Sequence, residues 1–253
     1  MDNRPIGVFD SGLGGLTAVR QMRSILPSEN IIYFGDTSRV PYGGRSQEIL
    51  LKYGRQDVRF LRSFDIKAIV VACGTVSTTA LPALQSENDL PILGVVEPAC
   101  RRAVSQSRNK RVGLIATAAS VRSGSYERTI HALDGSIEVI SKACPLFVPL
   151  VENGRYRVGD SVIETVAREY LESLRDTGID TLILGCTHYP LLTDIIGRIM
   201  GPGVTLIDTG EEAAWELKRT LKAQDMLAED RVGEATFYAS DQPSDFGALA
   251  SCF

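Results

Sequence analysis

The chain is poor in the residues that most readily announce a binding chemistry. It holds two histidines, one tryptophan and five cysteines, and no two cysteines form a C-x-x-C pair. An odd set of widely spaced thiols argues against the disulfide framework of a small secreted domain. It also argues against structural zinc, which draws four ligands in close pairs; a metal reading would have to rest on Cys73, Cys186 and His188 alone. No G-K-[ST] is present, so there is no P-loop. Lys and Arg number 27 against 31 Asp and Glu, and the net charge of −4 suits no nucleic-acid surface. No apolar run approaches the ~18 residues that span a bilayer. The start, MDNRPIGVFDSG, lacks the basic-then-apolar order of a signal peptide. The expectation is a cytoplasmic globular protein with no nucleic-acid and no membrane partner.

What is present is alternation. Apolar runs predict strands at 6–10, 31–35, 68–73, 91–96, 111–117, 137–141, 181–186, 204–208 and 235–240. Several are apolar throughout, as strands covered on both faces should be. Between them lie amphipathic stretches that predict helices at 48–64, 160–178 and 211–224, with Gly54 weakening the first. This pattern gives an α/β fold with a mainly parallel sheet. A faint internal repeat divides it. GVFDSG resembles GLIATA at 113–118, and VVACGTVSTTALPAL at 70–84 resembles LILGCTHYPLLTDII at 182–196. The expected organisation is therefore two pseudo-symmetric α/β domains, 1–97 plus 209–253 and 98–208, with a boundary near Glu97–Pro98.

In the repeat, Cys73 and Cys186 both stand where a strand ends, each close before a Thr. Open α/β sheets bind ligands outside the carboxyl ends of their strands. If the two units face each other, one thiol lies on each wall of a shared interdomain cleft. Several readings remain at that point. Both cysteines could be small buried hydrophobes. DSGLGGLTAV at 10–19, with Asp36 after the next strand, approaches a dinucleotide fingerprint, but Thr17 stands where its third Gly belongs. The third reading is a pair of opposed acid/base groups. A proton taken from one face of a carbon by a thiolate and returned to the other face by a thiol inverts a stereocentre. Helices starting just after each Cys are expected to favour the thiolate.

The segments DSG at 10–12, PYGGR at 41–45, VACGT at 71–75, PLVENG at 149–154 and GCTHYP at 185–190 together resemble the glutamate racemases, in order and spacing over essentially the whole chain. The resemblance implies cofactor-independent interconversion of L- and D-glutamate, supplying D-glutamate for peptidoglycan, with no metal. It implies Cys73 and Cys186 as the two bases. Asp10 and Ser11 are expected at the amino-acid end of the substrate, with Asp10 also near Cys73. Tyr42 and Gly43 are expected in the pocket wall, and Thr75 and Thr187 on the substrate carboxylates. His188 is expected to assist Cys186, with Asp36 and Glu152 supporting from behind. One departure stands out: Gly74 occupies a position where many such racemases carry Asn, which leaves the substrate contacts there open.

Two other functions compete. An aspartate racemase of the same superfamily typically has Glu where this chain has His188. A non-catalytic regulatory protein on this scaffold would be signalled by loss of a thiol, and both are present. A nucleotide-dependent oxidoreductase is disfavoured by Thr17, and a pyridoxal enzyme by strand ends that carry Cys, Asp and Thr rather than Lys. The sequence does not set the oligomeric state; a homodimer is one option.

Overall fold

The computed structural model describes residues 1–230 and 232–241. Cys252 lies outside them. The first part of the chain runs β1 (Ile6–Asp10), α1 (Leu16–Ile25), β2 (Ile31–Gly35), α2 (Gln47–Leu61), β3 (Ala68–Val71), α3 (Gly74–Thr79), α4 (Leu81–Ser86), β4 (Ile92–Gly94) and α5 (Val96–Gln106). The second runs β5 (Arg111–Ala116), α6 (Ala118–Ser123), α7 (Ser125–Leu133), β6 (Glu138–Ala143), α8 (Phe147–Glu152), α9 (Ser161–Arg175), β7 (Thr181–Leu184), α10 (Thr193–Met200) and β8 (Thr205–Asp208). α11 (Thr209–Ala223) and β9 (Ala235–Ala239) follow.

The strands form two parallel sheets, ordered β4-β3-β1-β2-β9 and β6-β5-β7-β8. β1, β3 and β7 are buried along their full length, which explains their uninterrupted apolar sequences. Each sheet carries apolar clusters that helices cover, and we call each sheet with its helices a lobe. α11 lays Ala213, Ala214, Leu217 and Leu221 into the same cluster as Leu16, Val19 and Met22 of α1, and β9 pairs with β2 at the sheet edge. The C-terminal elements thus build on the first sheet.

The strands are mostly shorter than the apolar runs that announced them. The run through Cys73 leaves the ladder after Val71, and Cys73 becomes the N-cap residue of α3. The run at 91–96 is strand only over Ile92–Gly94, because Val95 already has helical backbone angles and α5 starts at Val96. Glu97–Pro98 therefore lies in the first turn of a continuous helix, where proline is tolerated, and not in a linker.

One buried ion pair in the first lobe anchors the segment before β1 and the segment after α11. Lys67 and Glu29 are both almost fully buried and bonded to each other. Lys67 Nζ also donates to the carbonyls of Asp2 (2.6 Å) and Met226 (2.7 Å). Among the described residues no helix is long and apolar enough to cross a membrane.

Candidate active site

The strand-end rule can be tested on three chain segments. β1 ends in Asp10 and is followed by Ser11, β3 runs into Cys73 and Thr75, and β7 runs into Cys186, Thr187 and His188. Ser11, Tyr42, Gly43, Cys73, Gly74, Thr75, Glu152, Cys186, Thr187 and His188 all line one cavity of about 340 Å³ between the lobes. Both thiols are free and buried.

The two thiols have different surroundings. Burial pushes the Cys73 thiol up to about 12; the nearby Asp10 carboxylate adds to this, and hydrogen bonds from Val76 and Ser11 oppose it only in part. The expected thiolate-favouring helix does start there, but α3 has six residues and its effect is outweighed by burial. At Cys186 no α-helix begins: a 3₁₀ turn over Tyr189–Leu192 precedes α10. The partner of Cys186 is instead His188, whose Nδ1 lies 3.7 Å from Sγ. His188 Nε2 lies 3.0 Å from a Glu152 oxygen. Burial by itself would keep His188 neutral, but its hydrogen bonds to Cys186 and Glu152 prevail and raise it to about 10. These two bonds favour the charged imidazole, which lies between the Cys186 sulfur and the Glu152 carboxylate.

Asp10 is fully buried but does not line the cavity. Its Oδ2 accepts the N–H groups of Gly12 (3.1 Å) and Gly15 (3.0 Å) at the start of α1, and its Oδ1 accepts from the Thr187 hydroxyl at 3.4 Å. It shapes the Ser11–Gly15 turn from below, helped by Tyr33, whose hydroxyl donates to Gly12 O at 2.6 Å. Burial raises its pKa, with the His188 cation and the backbone donors pulling the other way. Asp36 is also behind the wall. It accepts a hydrogen bond from Tyr42 Oη and pairs with Arg39 Nε at 2.6 Å. The Tyr42 ring faces the cavity while its hydroxyl points away from it, to Asp36 and Asp57. Glu152, expected only as support, reaches the cavity itself.

The structure gives Gly74 a physical role. A Cβ there would lie 2.5 Å from the carbonyl oxygen of Gly185, so the loop after β3 meets the loop after β7 backbone to backbone. Only a glycine allows that approach.

Sequence reasoning missed three groups. Thr117 closes the cavity from the second lobe, its hydroxyl 3.0 Å from that of Thr75. The repeat pairing GVFDSG with GLIATA pointed at that strand end. Cys144, just after β6, is a third thiol in the lining, and burial pushes it up to about 12. Asp57, buried beside Asp36 and Tyr42, is pushed up to about 8 by burial and by the Asp36 charge. Nothing in the sequence marked it.

Comparison with known proteins adds a family and several relatives. The family model for Asp/Glu/Hydantoin racemase matches residues 17–217. A glutamate racemase of Geobacter metallireducens is 45% identical over 251 residues, spanning 99% of this chain and 92% of that protein. A glutamate racemase isoform of Bacillus anthracis superposes with a TM-score of 0.95 at 38% identity, covering 99% of this chain and 94% of that one. A Francisella tularensis glutamate racemase in complex with D-glutamate gives 0.91 at 40% identity, covering 99% and 93%.

Proposed function

The chain belongs to the Asp/Glu/Hydantoin racemase family, and from that premise we propose that it interconverts L- and D-glutamate by proton exchange between Cys73 and Cys186, with no cofactor. The observation that carries this reading is two buried free thiols in one enclosed cavity, approached from opposite lobes.

In the L-to-D direction a Cys186 thiolate removes the α-proton and the Cys73 thiol delivers a proton to the opposite face of the carbanion. One C–H bond breaks, one forms, and the two sulfurs exchange protonation states. Cys73 is suited to the donor role, since its surroundings favour the thiol. The His188 cation stands where it can pair with a Cys186 thiolate, and Glu152 holds that cation in place. In the reverse direction Cys73 is the base, and the ammonium of the bound substrate offsets the Asp10 charge that opposes a thiolate there. Hydroxyls of Thr75, Thr117 and Thr187 are the donors for the two substrate carboxylates, with the backbone at Gly43 and Gly74 beside them. Asp10 and Asp36 work through Thr187 and Tyr42 instead of touching substrate. Closure of the lobes keeps water from a carbanion that it would quench. The reading carries with it a cytoplasmic location and D-glutamate for peptidoglycan as the use of the product.

The test is L-glutamate in D₂O with the pure protein and no added cofactor. Loss of the α-proton NMR signal together with decay of the circular dichroism to zero is expected. Cys73→Ala and Cys186→Ala should each abolish racemisation, and turnover retained in either variant would remove the two-thiol mechanism.

A further inference from the structure

Behind the wall of the catalytic cavity two carboxylates share one cation. Asp36, just after β2, and Asp57, in α2, are both fully buried. Arg39 bridges them, with Nε 2.6 Å from Asp36 Oδ2 and Nη2 3.3 Å from Asp57 Oδ1. Among the described residues no other cation pairs with either acid. Arg39 also lies over the Tyr53 ring at 4.3 Å and donates to Gln56, and the Tyr53 and Tyr42 rings pack 5.4 Å apart. The charge of Asp10 on β1, and that of a Cys73 thiolate after β3, add to the repulsion in the cluster. Asp36 Oδ1 is buried with no hydrogen-bond donor. Two carboxylates and one guanidinium leave an unbalanced buried charge unless a proton is bound. The Tyr42 hydroxyl shows where that proton sits. It has one hydrogen, which it gives to Asp36. Its 3.3 Å contact with Asp57 Oδ2 is then a hydrogen bond only if Asp57 is the donor.

We propose that Asp57 is a positioning residue for the racemisation: it holds the one proton shared by the Asp36–Asp57 pair and, by donating it to Tyr42, fixes the wall segment Val40–Gly44 in the form that binds glutamate. Val40, Pro41, Tyr42, Gly43 and Gly44 all line the catalytic cavity. Arg39, just before this segment, and Tyr42, within it, both moor it to the two carboxylates. Gly43 O accepts the N–H of Ala119 from the second lobe at 3.2 Å, so the wall and the contact between the lobes move together. Burial and the Asp36 charge push Asp57 up to about 8, with Arg39 opposing. Burial keeps the Tyr42 hydroxyl protonated. The shared proton is therefore present at neutral pH and leaves as pH passes 8. The cluster then carries a second uncompensated charge, Tyr42 loses a donor, and the wall is held less firmly. With a midpoint of about 8, the protonated fraction falls from about nine-tenths at pH 7 to about one-tenth at pH 9, so KM rises by up to about tenfold over that interval.

The effect on KM rests on the reaction proposed above; the shared proton does not, and two measurements keep them apart. The first is carbon NMR of the whole protein labelled at its aspartate carboxyls. One carboxyl should titrate near pH 8, be missing in Asp57→Asn, and move to lower pH in Asp36→Asn, where the neighbouring charge is gone. Titration of every aspartate in the ordinary carboxylate range would overturn the proposal. The second is the pH dependence of KM and kcat for glutamate racemisation. Asp57→Asn keeps a neutral donor at every pH, so the rise in KM between pH 7 and 9 should flatten while the shape of the kcat profile follows wild type. Asp57→Leu fills similar space without a donor and should raise KM about 2- to 10-fold already at pH 7. A merely structural Asp57 would change stability and leave the pH profile of KM as in wild type, and identical KM profiles in wild type and Asp57→Asn would overturn the positioning role. If wild type does not racemise glutamate, the proposed reaction fails, and the carboxyl titration still decides the shared proton.

Discussion

Gly74→Ala tests whether the lobes meet in the working enzyme as closely as they do in the structure. The added Cβ would sit 2.5 Å from the Gly185 carbonyl oxygen, whereas ordinary contact begins near 3.4 Å. That oxygen is backbone and belongs to the loop that carries Cys186, so no side chain can swing away; one loop must retreat by most of an ångström. Forcing one methyl into a close-packed contact costs about 1–3 kcal/mol. The cost falls on the closed arrangement of the two strand-end loops, because nothing in either lobe alone is crowded by the new atom. The expected result is a fold that keeps its far-UV circular dichroism and a kcat/KM lowered by roughly 5- to 150-fold, with most of the loss in kcat. The measurement is the rate of L-glutamate racemisation in both directions, alongside a urea titration. A variant with wild-type kcat/KM would refute the reasoning, since the loops would then not be in contact during turnover. A variant that loses stability without losing kcat would show that the contact supports the fold and not closure.

Four further outcomes follow from other parts of the molecule. Lys67→Met leaves the Glu29 carboxylate buried beside a lost partner and should cost about 3–5 kcal/mol in a urea titration. Adding Glu29→Met should restore part of that loss. Glu152→Gln withdraws the carboxylate from His188, so the imidazole pKa should fall from about 10 by one or more units; NMR titration reads it directly, with His131→Gln assigning the second signal. Folding stability should depend on pH through the same group: the folded pKa of about 10 lies above the ordinary 6.5, so its contribution is complete below pH 6.5 and is lost as pH rises toward 10. His188→Asn should flatten that slope between pH 6.5 and 9; above 9 the buried thiols of Cys73 and Cys144, held up to about 12, add a further loss in both proteins.

Much of the site was legible because parallel α/β sheets obey a strong rule. A strand buried on both faces must be apolar along its length, so its end is visible as the first polar or thiol residue after the run. That made Cys73 and Cys186 stand out, and the repeat made them a pair. Ser11, Thr75, Thr187 and His188 lie in the same loops, and the resemblance to the glutamate racemases singled them out. The helix spans came from periodicity, and their caps, such as Asp160 before α9, from residue type.

What periodicity could not supply was depth and direction. Asp10 and Ser11 are neighbours, yet Ser11 lines the cavity while Asp10 turns under it to the N–H groups at the start of α1. The sequence placed Glu152 behind the wall and the structure puts it in the wall, because α8 ends beside His188 from another part of the chain. Whether a helix after a thiol lowers its pKa depended on burial, and at Cys73 burial prevailed. Thr117, Cys144 and Asp57 became visible only when two sheets and a buried carboxylate pair were brought together. The sequence by itself determined most of the strands and the two-lobed plan, because those follow from local apolar patterning and an internal repeat, while the role expected of the two thiols came from the resemblance to the glutamate racemases. The tertiary structure alone decided which groups face the cavity, how closely the lobes approach at Gly74, and which protonation states their neighbours favour, because distance, burial and charge are properties of residues far apart in the chain.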